Sequence, residues 1–178
     1  MVEDIEFRYG LPAEGANDIM FRAGAFVADH VSPVNETQIQ PNGVDLTAEQ
    51  IAEPIDAGRI ATDGKTIADR QELAPTEVTG DRETFYLAPG AYVVRYGETV
   101  HIPDGHVGFI YPRSSLLRNG AMLYTAVWDA GYEGQGAGLL SVYSDLEIDR
   151  GARIGQLVLA RAGHETTYDG SYQGEAAN

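Results

Sequence analysis

Apolar and β-branched residues along this chain fall into short runs divided by turn signals, with almost no recurrence at helical spacing. Thr84 to Leu87 ends at Ala-Pro-Gly, Ala91 to Arg95 at Tyr-Gly-Glu, and Val100 to Ile102 at Pro-Asp-Gly. His106 to Tyr111, Ala121 to Trp128, Leu139 to Tyr143 and Arg153 to Arg161 complete the series. Short strands at this spacing predict an all-β domain, a distorted β-barrel or jelly roll. Upstream, Phe21 to Val27 reads as a first strand, and Gln38 to Leu46 as an extended segment bent at Pro41-Asn42-Gly43. Residues 52–83 are polar, and Thr62-Asp63-Gly64-Lys65 within them is a hairpin signal, which predicts a surface β-excursion. The exception to the β pattern is Pro112 to Gly120. A leading proline, two hydroxyls, two leucines and a closing Asn-Gly predict one short helix.

These elements divide the chain into a loose acidic arm over 1–19, a β domain over 20–167 and a tail over 168–178. At 178 residues there is room for one domain with a core and not for two. The absence of cysteine excludes disulfides, thiolate nucleophiles and the zinc ligands of the zinc-dependent deaminases. No apolar run approaches the roughly 18 residues that span a bilayer, so a cytoplasmic protein without a membrane partner is expected.

Charge sharpens the picture. The chain has 27 acids against 12 bases, a formal −15, and Lys65 is its single lysine. Scarce lysine amid abundant carboxylates suits molar salt, where a Debye length of about 3 Å screens self-repulsion. Nucleic acid is excluded as a partner, since no basic stripe exists to meet its phosphates. A small polyanion remains possible through a few locally placed arginines.

Two segments have residues suited to that task. At Arg113-Ser114-Ser115-Leu116-Leu117-Arg118, a helix start, two hydroxyls and two guanidinium groups are all donors for phosphate oxygens. At Asp129-Ala130-Gly131-Tyr132-Glu133-Gly134, a carboxylate on a hairpin tip is placed to accept a proton from water, with an aromatic wall beside it. Taken alone, the first is accounted for by a serine-capped turn and the second by a surface hairpin.

Taken in order with Asn42-Gly43-Val44-Asp45-Leu46 and Gly151-Ala152-Arg153-Ile154-Gly155-Gln156-Leu157, they resemble the dUTPase and dCTP deaminase superfamily. Gln38-Ile39-Gln40-Pro41 and the tail Tyr168-Asp169-Gly170-Ser171-Tyr172-Gln173-Gly174 are similar to the deaminase branch. The resemblance spans about residues 20–175. It implies that Asp129 deprotonates the water attacking the α-phosphorus, and that Tyr132 packs under deoxyribose. It also implies that Ser114, Ser115 and Arg118, with Arg113 beside them, bind phosphates, and that Gln156 meets the phosphate end or the water. Asp45 matches an aspartate that holds Mg²⁺, often through water. The hairpin containing Ala126 would read the base through backbone groups. Tyr172 and Gln173 would close over the nucleotide. A homotrimer is implied, each active site combining Asp129 and Tyr132 of one chain with Arg113 to Arg118 of a neighbour. Trp128 is expected in the core, facing away from this site. His30, His101, His106 and His164 match none of these positions.

Deamination in this superfamily resembles a mechanism that needs a glutamate about ten residues beyond the hairpin aspartate. Gly138, Leu139 and Leu140 occupy that stretch, and Asp145 and Glu147 lie in the following turn. Losing an acid–base group forfeits on the order of 10²- to 10⁴-fold in rate. The expected activity is therefore dUTP hydrolysis to dUMP and diphosphate. The alternatives are a dCTP deaminase, with or without dUTPase activity, and a non-catalytic nucleotide binder. Asp129 argues against the last.

Overall fold

A computed structural model describes residues 20–175; the arm expected over 1–19 and residues 176–178 of the tail lie outside the described residues. The first strands are β1 (Val31–Ser32), β2 (Ile39–Gln40), β3 (Gly43–Pro54), β4 (Arg59–Ala61), β5 (Gly64–Thr66), β6 (Arg70–Glu72), β7 (Glu77–Thr79) and β8 (Arg82–Leu87). There follow β9 (Gly90–Tyr96), β10 (Thr99–His101), β11 (His106–Pro112), β12 (Ala121–Tyr124), β13 (Glu133–Gly134), β14 (Ala137–Val142), β15 (Leu146–Asp149) and β16 (Arg153–Arg161). Two single-turn helices, α1 (Gly24–Ala28) and α2 (Ser114–Arg118), complete the framework with a 3₁₀ turn at Glu36–Gln38.

The main sheet is antiparallel, in the order β11-β16-β3-β9-β14-β12, with β2 and β6 paired to the two ends of β3. Its outer strands β11 and β12 are joined in sequence by α2. They are also brought together in space: Thr125 Oγ1 donates to the Ile110 carbonyl at 3.2 Å, and Gly108 and Trp128 exchange two backbone hydrogen bonds. The sheet is thus nearly closed into a barrel, which leaves little unpaired edge. Val44, Leu46, Ile51, Val94, Tyr96, Leu123, Leu140, Leu157 and Leu159 fill its interior. No helix among the described residues is long and apolar enough to cross a membrane.

The expected strand over Phe21 to Val27 is in fact α1, preceded by a single bridge from Phe21 to Ala160. Gly24 and Val27 are the buried pair, a spacing of three that suits a helical turn better than alternation. Gly24 is pressed onto the chain; a Cβ there would lie 1.7 Å from the Gln40 carbonyl oxygen. Residues 52–83 contain four short strands. One hairpin, β4–β5, turns at Thr62-Asp63, and β6 returns to pair with β3 in the register Arg70↔Pro54 and Glu72↔Ala52.

Beneath β3 lies a buried polar knot. The Glu98 carboxylate accepts from Gln38 Nε2 at 2.7 Å, Thr47 N at 2.9 Å and Thr47 Oγ1 at 2.8 Å. Gln38 Nε2 also donates to the Asp45 carbonyl at 2.9 Å, so the knot fixes the backbone beside Asp45. Burial raises the Glu98 pKa above the ordinary glutamate range, and the donors only partly offset it. Glu98→Gln sets an amide NH₂ among donors and should cost about 1–3 kcal/mol. Because the folded pKa is raised, the advantage of Glu over Gln should be full below the ordinary glutamate range and shrink as pH rises through it. Urea unfolding of both proteins at constant ionic strength checks this, and a gap that widens with pH would contradict it.

Candidate active site

Asp129 starts a tight turn fastened at both ends. Tyr132 N donates to the Asp129 carbonyl at 3.2 Å, Gly131 N to the Ile102 carbonyl at 2.8 Å, and Ile102 N to the Tyr132 carbonyl at 2.9 Å. Gly131 has φ +84°, a left-handed conformation that a side chain would strain. Gly136, at φ +63°, lies so close beneath Trp128 that a Cβ would sit 2.5 Å from the indole ring. The chain therefore crosses under Trp128, and Asp129 is left exposed at the tip.

Asp129, Ala126, Tyr132 and Tyr172 share one cavity of about 430 Å³. Tyr132 forms a wall, its ring edge-on to Trp128 at 4.9 Å and to Tyr168 at 5.5 Å. Burial, then the charges of Glu175 and Tyr168, push its phenol up to about 12, so the hydroxyl stays protonated at neutral pH. Trp128 is a core residue, as expected, but it also lines this cavity. Leu139 lines it too, at the position where a deaminase-type acid was sought; Asp129 and Glu175 are the acids among the lining residues. Asp129 also borders a second hollow of about 450 Å³ on its other side, with His106, His164 and Tyr168.

The tail folds over the hairpin. Tyr168 N donates to the Ala130 carbonyl at 2.7 Å, Gly174 N to the Glu133 carbonyl at 2.8 Å, and Gln135 N to the Glu175 carbonyl at 3.0 Å. Gln173 does not line the cavity. It straps the tail down, with Nε2 donating to the Gly131 carbonyl at 3.0 Å and Oε1 accepting from Glu133 N at 3.3 Å.

The remaining candidates gather elsewhere. Asp45 and Gln156 are cross-strand partners, and Tyr111 on β11 pairs with Gln156 from the other side. Arg153 and Gln156 are three apart, so strict alternation would put them on opposite faces. A bulge between Arg153 and Gly155 restores them to one face. Asp45 Oδ2 then meets Arg113 Nε at 3.1 Å and Arg153 Nη1 at 3.3 Å. Burial raises the Asp45 pKa, with the two arginines acting against it. Ser114, Ser115 and Arg118 project to solvent from α2, and Arg113 is half-buried before them. None of these lines the Asp129 cavity within one chain.

At Asp45, the residue expected to hold Mg²⁺, the partners within the chain are arginines. Its side chain is only 2% exposed, and its Oδ2 is held by two guanidinium groups. Among the described residues no group of three or more His, Cys, Asp or Glu converges into a site that could cage a cation by itself. The histidines play structural parts. His30 packs between Phe26 and His101, and His164 Nε2 accepts from Gly105 N at 2.9 Å.

Arg70, Tyr168 and Glu175 also line the cavity, although sequence reasoning assigned none of them a role there. Tyr168 opens the recognised tail motif and Glu175 follows it. Nothing local marks Arg70, which arrives through the pairing of β6 with β3.

A family model described as dCTP deaminase-like matches residues 20–162. A Halobacterium salinarum protein named a probable deoxyuridine 5′-triphosphate nucleotidohydrolase is 57% identical over 157 residues, 88% of this chain and 95% of that protein. An Aeropyrum pernix protein with the same name is 45% identical over 146 residues, 77% of this chain and 86% of that one. The solved 2′-deoxycytidine 5′-triphosphate deaminase of Agrobacterium tumefaciens shares the fold, with a TM-score of 0.57 at 19% identity. That match covers 80% of this chain, which spans about half of the deaminase (48%).

If Asp45 serves to hold the two arginines, Asp45→Asn should lower stability by about 1.5–3 kcal/mol, the range for a hydrogen bond to a charged group. Urea denaturation in the presence of a chelator checks this without any metal. An unchanged midpoint would return the carboxylate to the role of cation ligand.

Proposed function

The chain belongs to the dCTP deaminase-like family, and within that family we propose that it is a cytoplasmic dUTP diphosphatase, converting dUTP and water to dUMP and diphosphate. One observation carries this reading. Asp129, Tyr132, the backbone around Ala126 and Tyr172 of the tail line a single cavity, and Leu139 stands there in place of a deaminating acid. The relatives named as deoxyuridine triphosphate nucleotidohydrolases support it.

In this mechanism Asp129 accepts the proton of a water whose oxygen attacks the α-phosphorus. The bond from that phosphorus to the bridging oxygen breaks, and diphosphate leaves. The exposed hairpin tip gives the carboxylate access to water, and the two fastened ends hold it in place. Tyr132 presents a rigid ring where a 2′-hydroxyl would fall, which favours deoxyribose. Backbone N–H and C=O groups near Ala126 read the uracil edge, and a cytosine leaves them unpaired at about 1–3 kcal/mol each.

Phosphate binding in this reading falls to Arg113, Ser114, Ser115, Arg118 and Gln156 of a neighbouring subunit in a homotrimer. Exposed Leu117 on α2, with Tyr124 at the end of β12 and Tyr143 just after β14, gives that segment an apolar surround suited to an interface. Mg²⁺ fits this chain as a companion of the triphosphate rather than as an ion caged by Asp45, since it usually keeps several waters and binds substrate phosphates.

The test measures kcat/KM for dUTP, dCTP, dTTP and UTP in molar KCl, following diphosphate and ammonia separately. Diphosphate from dUTP should exceed all other products by on the order of 10²-fold or more. Asp129→Asn should remove at least about 10²-fold of turnover while leaving nucleotide binding nearly intact. Ammonia from dCTP at a comparable rate would transfer the assignment to a deaminase and point to Glu175. An active monomer in light scattering would overturn the shared site.

A further inference from the structure

Residues 52–83 lie outside the motifs that carry the resemblance, yet they reach the cavity. Among the described residues Arg70 is the single cation that lines it, and it is exposed, with no ion pair to a described residue. Its position is fixed, because β6 is registered on the far end of β3 and Ile55 N donates to the Asp69 carbonyl at 2.9 Å. An adjoining hollow of about 220 Å³ shares Arg70 and Glu175 with the cavity and adds Arg95, Gln50 and Glu72. Arg95 Nε is buried there with no hydrogen-bond partner among the described residues. Two guanidinium groups thus face this side, balanced in part by the Glu72 and Glu175 carboxylates.

The same excursion touches the tail. Lys65, at the tip of the β4–β5 hairpin, sits over the Tyr172 ring with Nζ 4.5 Å from its centroid and 3.5 Å from its hydroxyl. It is the only lysine of the chain. A cation on an aromatic face is attracted by the ring and so favours the tail in this position.

We propose that the excursion forms the second half of the cover over the nucleotide, with Arg70 a substrate-binding residue and Lys65 the contact that ties the cover to the tail. Arg70 donates from the nucleotide's own subunit to its acceptor oxygens, opposite the arginines that a neighbour would supply. This rests on the reading of the cavity as a dUTP site. A cation is needed at that place because a polyanion entering a chain of net −15 meets Asp129 and Glu175 within the cavity itself.

The experiment uses the full chain in molar KCl and measures Kd for the α,β-imido analogue of dUTP, for dUMP and for deoxyuridine. Arg70→Gln should raise the Kd of the analogue about tenfold or more, with assembly and melting temperature unchanged. A loss confined to the phosphorylated ligands assigns Arg70 to phosphate oxygens; an equal loss across all three assigns it to the uracil carbonyls. Unchanged affinity for all three overturns the role of Arg70. Lys65→Met should speed proteolytic removal of the tail in the analogue complex, and an unchanged cleavage rate overturns the contact. Failure of the unaltered chain to bind any of the three ligands would instead remove the dUTP reading.

Discussion

In the proposed reading, a triphosphate has to be held by a protein that carries more than two acids for every base, and that imbalance bears on where each cation stands. Two arginines serve the fold: Arg82 pairs with Asp149, and Arg150 with Glu49 and Glu83. Arg113 is held at the mouth of α2 by Asp45, a carboxylate buried in β3, and Arg153 shares the same oxygen. One buried acid thus aims two bases at a single face. That use of a charge differs from a surface pair, which contributes little and is screened in salt.

The near closure of the barrel determines how these groups are presented. Because α2 joins the two outer strands of the sheet, the helix that bears Ser114, Ser115 and Arg118 sits at the seam, beside the place where Trp128 bridges to Gly108. The hairpin of Asp129 begins at that seam and runs away from it toward Ile102. The two halves of the site therefore diverge within a chain. In a trimer with shared sites, this divergence is what allows each chain to serve two of them.

Much of this was legible in the chain before any coordinates. Strands from Thr84 to Arg161 show in the alternation and the turn residues between them, because each is a local pattern on a half-buried sheet. The helix after Pro112 shows in its proline and its closing Asn-Gly. Phe21 to Val27 misleads, since an apolar run with two alanines and a glycine satisfies either period until its packing partner is known. Asp45 stands in the expected motif, yet its neighbours Arg113 and Arg153 come from distant segments, and sequence spacing carries no sign of that meeting. Arg70 is hidden for the same reason: the register of β6 on β3 brings it to the cavity.

The placement of Asp129 bears on the traffic of water and protons. The residue stands in a partition, with a cavity on one side and a second hollow bordered by His106 and His164 on the other. The tail covers the first by docking on the hairpin, while the stretch before Tyr168 lines the second. A ligand filling the front therefore leaves the back of the partition open to solvent. In the proposed mechanism the carboxylate, having taken the proton of the attacking water, would lose it by a route that does not pass the bound molecule, so resetting the base need not wait for product to leave.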